Sequence, residues 1–327
     1  MHMASSKVAT ATGVVLLTLS VSASNSQDSV VGGWAILAPL PDSRTEVSAT
    51  SDGTSIFVLG GFGLSGGGVV APRAVYQYRP SSDSWTRLTD LPVGVNHTGL
   101  AHIDGSLFVI GGFRGTTFRA TDRVMIFDLD EERWREGSPM PTARGALAVA
   151  VVDGSIHAIG GELANGTDTG AHEIYDPALD QWTTAATMPS PRNHHAAAVV
   201  GNDIIVVAGR DRVTTTLTTT EIYNVTTGIW RTGSAVPTGR SGVAAVSFGG
   251  SVYLFGGEQF TNRTGTFNNV ERYDPALDRW SIEAAMPTAR HGLGAAAVGP
   301  HIFVISGGPE AGFAFSSVNE RFSPGAE

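Results

Sequence analysis

The chain has 327 residues, 42% of them hydrophobic, 16% charged and 8% aromatic, with 41 glycines, 16 prolines and no cysteine. Its 21 Lys and Arg against 30 Asp and Glu leave a formal charge of −9 with no basic run, which excludes nucleic acid or an anionic membrane as an electrostatic partner. The missing cysteine excludes disulfides, thiolate metal sites, cysteine nucleophiles and thioether cofactors, and no cofactor is expected.

Residues 1–23 read as a secretory leader. Lys7 precedes an uncharged, mostly apolar run from Val8 that ends in Val21-Ser22-Ala23. The run is shorter than the roughly 20 residues of a membrane-spanning helix, so stable membrane insertion is not expected. A short linker, 24–33, follows, and the expected location is secreted or periplasmic. Asn96, Asn165, Asn224 and Asn262 stand in Asn-x-Ser/Thr sequons.

From residue 34 onward the chain repeats itself. Its six tryptophans (Trp34, Trp85, Trp134, Trp182, Trp230, Trp280) are spaced 51, 49, 48, 48 and 50 apart, and each is followed 27 residues later by a glycine. Those glycines are Gly61, Gly112, Gly161, Gly209, Gly257 and Gly307. Ten residues after each Trp stands Arg44, Val95, Arg144, Arg192, Arg240 or Arg290. A period near 50 points to a propeller rather than a helical solenoid.

One repeat reads directly as four strands. Residues 146–152 (ALAVAVV) form a small-residue apolar strand, Asp153-Gly154 a hairpin turn, and 155–161 the second strand. HEIYD, 172–176, is the third, and Trp182 opens a fourth running to about Met188-Pro189. The expected fold is all-β: six four-stranded blades around a central channel, over residues 34–324 with a tail at 325–327. The Trp34 segment is a fourth strand with no first three before it, so it is expected to complete the last blade and close the ring.

The glycine doublet, then Tyr, then Trp, as in Gly160-Gly161, Tyr175 and Trp182, resembles the kelch-repeat family across nearly all of 34–324. The resemblance implies the propeller fold. It also implies a wide range of activities: adaptor subunits, actin-binding and extracellular recognition proteins, copper oxidases and a bacterial sialic acid mutarotase. The oxidases use a Tyr–Cys crosslink that a cysteine-free chain cannot form. The mutarotase carries a catalytic Glu after a strand-ending Gly and an Arg a few residues on, and Gly257-Glu258 with Arg263 is similar.

All length variation falls between the second and third strands, which marks one face as the binding face. There the residue after the landmark glycine is Phe62, Phe113, Glu162, Arg210, Glu258 or Gly308. The entry to the first strand adds Glu46, His97, His194, His195 and His291. Glu46, His97, Glu162, His194, Arg210, Glu258 and His291 are therefore the candidate ligand-binding residues. Glu258, Arg263, Glu162 and Arg210 are the candidates for catalysis, because a carboxylate beside an arginine orients a hydroxyl or carboxylate and can move a proton. Structural ion pairing explains the same residues equally well. The histidines sit at three offsets from the landmark, so one strand face is not expected to present them together, and no metal site is expected. The repeated arginines are expected to bond carbonyls between blades. The function expected is a secreted, non-catalytic scaffold recognising a protein or glycan on the variable-loop face; the alternative is a sugar mutarotase or epimerase.

Overall fold

A computed structural model describes residue 1 and residues 33–212, 216–260 and 265–325. The described residues are all-β apart from one short 3-10 turn, Pro80–Ser82. They contain six four-stranded antiparallel sheets. The third is built from Ala148–Val152, Ser155–Ile159, His172–Asp176 and Gln181–Thr184. Its fourth strand stops four residues short of Met188; from Ala185 on, the chain turns inward and buries Met188 against the second and third strands of its neighbour. In the last sheet Trp34–Ile36 pairs antiparallel with Asn319–Phe322, Trp34 opposite Phe322.

The landmark residues owe their spacing to contacts between neighbouring sheets. Each tryptophan donates its indole N–H to the carbonyl four residues past the previous tryptophan: Trp85 to Ala38, Trp134 to Thr89, Trp182 to Ser138, Trp230 to Ala186 and Trp280 to Ser234. Trp34 donates to Ala284, returning the series to its start. The landmark glycines form a second such series, Gly61 N–H to Val95 O through to Gly307 N–H to Arg44 O. Each of these glycines has φ between 86° and 111°. At Gly61 a Cβ would lie 2.4 Å from Thr45 O, so no other residue fits there.

The landmark arginines are fully buried. Arg144 donates Nε to Gly160 O and Nη2 to Ala158 O, and its Nη1 meets Glu173 Oε2 at 2.5 Å. Arg240 with Glu271 and Arg290 with Glu320 repeat this arrangement, and Arg192 lies 3.1 Å from Glu221. These carbonyls belong to the arginine's own sheet, so the expected bonds between blades are bonds within one. The Glu stands nine residues before the tryptophan position, a recurrence that the landmark pattern did not include. In the second sheet both members are lost together, to Val95 and Met125, which pack in one apolar cluster. There Thr98 Oγ1 lies 3.1 Å from Gly111 O, the counterpart of Gly160 O, and 2.9 Å from Ile110 O. In the first sheet Arg44 turns to Asp42 and stacks on Tyr76.

Candidate functional site

The residue two past each landmark arginine sits in a third cyclic series of backbone bonds. His97 N–H donates to Glu46 O, Ala146 to His97, His194 to Ala146, Gly242 to His194, Gly292 to Gly242, and Val47 N–H back to Gly292 O. All six residues of this ring (46, 97, 146, 194, 242 and 292) have left-handed φ, 50–63°. That conformation is easy for Gly and costs about 1 kcal/mol or more for other residues. Four repeats nevertheless carry a side chain there, and three of those are Glu46, His97 and His194.

Above the ring is a cavity of about 180 Å³. Its polar lining is Glu46, His97, His194, Arg210, Glu258 and His291, with Thr45. Six of the seven binding candidates thus come together from five of the six sheets. His291, one residue earlier in its repeat than the other two histidines, still enters the cavity, so the offset argument fails for these three. It holds for His195, whose Nε2 lies 3.1 Å from Ile159 O and which lines the smaller space beneath the ring. Glu162 does not line the cavity; it sits in a neighbouring loop where its backbone bridges to Asp168, and burial pushes its carboxyl up. Arg263 lies outside the described residues.

Arg210 is the central donor. Its Nη1 meets Glu258 Oε1 at 3.0 Å and its Nη2 meets His194 Nε2 at 2.9 Å. Its side chain is 26% exposed, whereas that of Glu258 is 3% exposed. Glu258 Oε2 accepts the Gly312 N–H at 3.0 Å and stands 3.4 Å from His291 Nε2. Burial is the largest influence on Glu258 and pushes its carboxyl above the usual range. Burial also holds His97 below its ordinary pKa and His194 well below it, with Arg210 adding to the effect at both, so both imidazoles are neutral at pH 7.

Of the four aromatic lining residues only Phe62, the residue after a landmark glycine, was legible in the sequence. Phe118, Phe260 and Phe313 come from the variable loops and are exposed at the rim, while Phe62 is buried at the wall. Phe62, Phe118 and Phe313 lie 5.2–6.4 Å apart by ring centroid, and Arg210 stacks 5.6 Å from Phe260. No fixed spacing links the three rim rings; the available signal was only that each is an aromatic inside a loop of variable length. The sequon Asn96 is buried with its amide donated to Gly115 O at 2.8 Å, which leaves no room for a glycan.

The profile of the KLHDC2/KLHL20/DRC7 Kelch-repeats domain matches residues 35–209 and 147–320. The chain is 28% identical over 144 residues to Kelch-like protein 35 of Mus musculus, covering 44% of this chain and 23% of that one. It is 30% identical over 162 residues to Kelch-like protein terF of Aspergillus terreus, covering 46% and 35%. Alpha-scruin of Limulus polyphemus is 27% identical over 131 residues, covering 39% and 14%. The chain therefore spans about a third or less of the length of these relatives. They overturn the secreted or periplasmic location expected from the leader, because the Kelch-like proteins matched are intracellular. Residues 2–23 of that leader lie outside the described residues. Among the described residues no helix is long and apolar enough to cross a membrane.

Proposed function

The chain belongs to the kelch-repeat family, and from that premise we propose that it is a non-catalytic binding scaffold, a closed six-bladed propeller that takes an apolar side chain of a protein partner into the cavity above the ring. Three cyclic series of hydrogen bonds support closure. Kelch-repeat proteins generally act as protein-binding scaffolds. The observation that carries the reading is the exposure of Phe118, Phe260 and Phe313 around one cavity. Large rings left in water over a polar floor in which Arg210 already bonds Glu258 and His194 suit an occupant that brings apolar surface. A glycan is less suited, because Arg210 and Glu258 already satisfy one another.

The test is selection of short peptides from a displayed library, followed by calorimetry with a Phe118→Ala, Phe260→Ala, Phe313→Ala variant. Peptides that bind the parent and not the folded variant support the reading. Binding that ignores the three rings sinks it.

A second reading, a sugar mutarotase or epimerase, is favoured by one observation: the Glu258 carboxyl, pushed above its usual range by burial, stands beside His291 and Arg210, where it could exchange a proton with a bound sugar. Anomer exchange of acidic and neutral sugars, followed by NMR with parent and Glu258→Gln, decides it. No acceleration over buffer rejects the enzyme for those sugars.

A further inference from the structure

We propose that Glu46, His97 and His194, with His291 and Glu258 across Glu46, form a binding site for one divalent first-row transition-metal ion at the mouth of the channel. The inference does not depend on what occupies the aromatic cup.

The first support is the tautomer of each histidine. Asn96 donates its amide to Gly115 O, so its Oδ1 faces His97, and His97 Nδ1 must carry the proton at 2.5 Å. Asn193 likewise gives its amide to Asp168, which leaves Oδ1 to accept from His194 Nδ1. His291 Nδ1 donates to Gly308 O at 3.1 Å. His97 and His194 therefore turn Nε2 lone pairs toward the cavity, and His291 Nε2 faces the same space. A ligating histidine is held in this way, its second nitrogen fixed by an outer oxygen.

The second support is what those lone pairs meet. His97 Nε2 stands 3.3 Å from Glu46 Oε2, while His291 Nε2 stands 3.6 Å from Glu46 Oε1 and 3.4 Å from Glu258 Oε2. With the proton of neutral His97 on Nδ1, its Nε2 and the Glu46 carboxylate are acceptors facing each other, an arrangement that a cation between them makes favourable. Arg210 reaches His194 and Glu258 but has no bond to His97 or Glu46 among those described. The ligand atoms of Glu46, His97 and His194 lie within 4.8 Å of one another, as do those of Glu46, Glu258 and His291. Small rotations bring such sets to metal distances of about 2.0–2.2 Å.

The third support is backbone cost. At a ring position where left-handed φ favours glycine, the fifth and sixth repeats have Gly242 and Gly292, whereas Glu46, His97 and His194 are held there against that preference. Gly292 also keeps space open, since a Cβ on it would lie 2.7 Å from the Glu46 carboxyl carbon. Imidazole with carboxylate suits Zn, Fe, Co, Ni or Cu, and hard Ca or Mg poorly. On binding, the ion takes the His194 lone pair and Arg210 keeps Glu258.

The experiment is titration of chelator-treated full-length protein with Zn²⁺ by calorimetry and with Co²⁺ by visible absorption. One equivalent is expected, with a Co²⁺ spectrum of nitrogen and oxygen ligation. His97→Ala, His194→Ala and the near-isosteric Glu46→Gln should each abolish saturable binding while circular dichroism remains that of the parent. Asn193→Ala, which frees the His194 tautomer, should weaken binding about 10- to 100-fold. His301→Ala, remote from the cluster, should change nothing. No stoichiometric uptake of either ion, or uptake that persists in both Glu46→Gln and His97→Ala, overturns the proposal.

Discussion

Among the described residues the arginine–glutamate pairs with a buried glutamate are of two kinds, and they differ in what surrounds them. Arg144–Glu173, Arg240–Glu271 and Arg290–Glu320 are closed on every side, and each guanidinium is filled out by carbonyls of its own sheet. Arg210–Glu258 has one open side, and its arginine is shared with His194 beneath a ring of phenylalanines. The first kind recurs at a fixed spacing because every repeat needs those carbonyls bonded. The second occurs once. An ion pair that repeats with the fold is read as part of the fold; one that breaks the repeat and faces a cavity is read as a site.

The sharpest way to break this contrast is to leave a repeated arginine without its partner. Glu271→Ala strands the buried Arg240 charge and should cost about 3–5 kcal/mol. The urea midpoint measures it; a loss under about 1 kcal/mol would mean the pair is dispensable. The second sheet offers the converse. Val95→Arg alone places an unpaired charge beside Met125 and should cost about 3 kcal/mol, and adding Met125→Glu should recover a large part. Equal losses in single and double variants would deny that these positions act as a pair.

Acid separates a different pair of regions. His157 is held at about 4, His172 and His195 at about 3, each chiefly by burial, so all are neutral in the fold. Unfolded histidine takes up a proton below about 6.5, so the stability held by these neutral rings is complete above that pH and lost as pH falls toward 4. The expected slope is about 1.4 kcal/mol per pH unit per histidine, read from urea unfolding between pH 7.5 and 4.5. Glu162 and Glu258, both raised by burial, act in the opposite sense, whereas the lowered His97 and His194 add to the loss. A stability flat over this range would mean that the rings are protonated in the fold.

The smallest effect belongs to the rim. Phe313→Ala, at an exposed side chain, should change stability by less than about 0.5 kcal/mol. A larger loss would recast the aromatic cup as a packing cluster.

Much of the site was legible because it follows the repeat. Glu46, His97, His194, Arg210 and Glu258 all stand at repeat positions beside a landmark, so spacing alone placed them on one face. Phe118, Phe260 and Phe313 obey no spacing, since a loop's path is set by its own contacts and not by the ladder. His291 was placed among the binding residues but not beside the other histidines, because offset along a strand predicts direction only in extended backbone, and a left-handed turn at the next residue carries its side chain into the cavity. The location failed for another reason: a short apolar run is a weak signal compared with the relatives.

The periodic tryptophans, glycines and arginines by themselves determined an all-β chain of about fifty-residue repeats, because each landmark satisfies a contact that every repeat must make. The tertiary structure alone decided that three histidines turn Nε2 toward one cavity. That outcome depends on Asn96, Asn193 and Gly308 O, whose hydrogen bonds select a tautomer. Residues from five sheets meet there only through contacts between segments far apart in sequence.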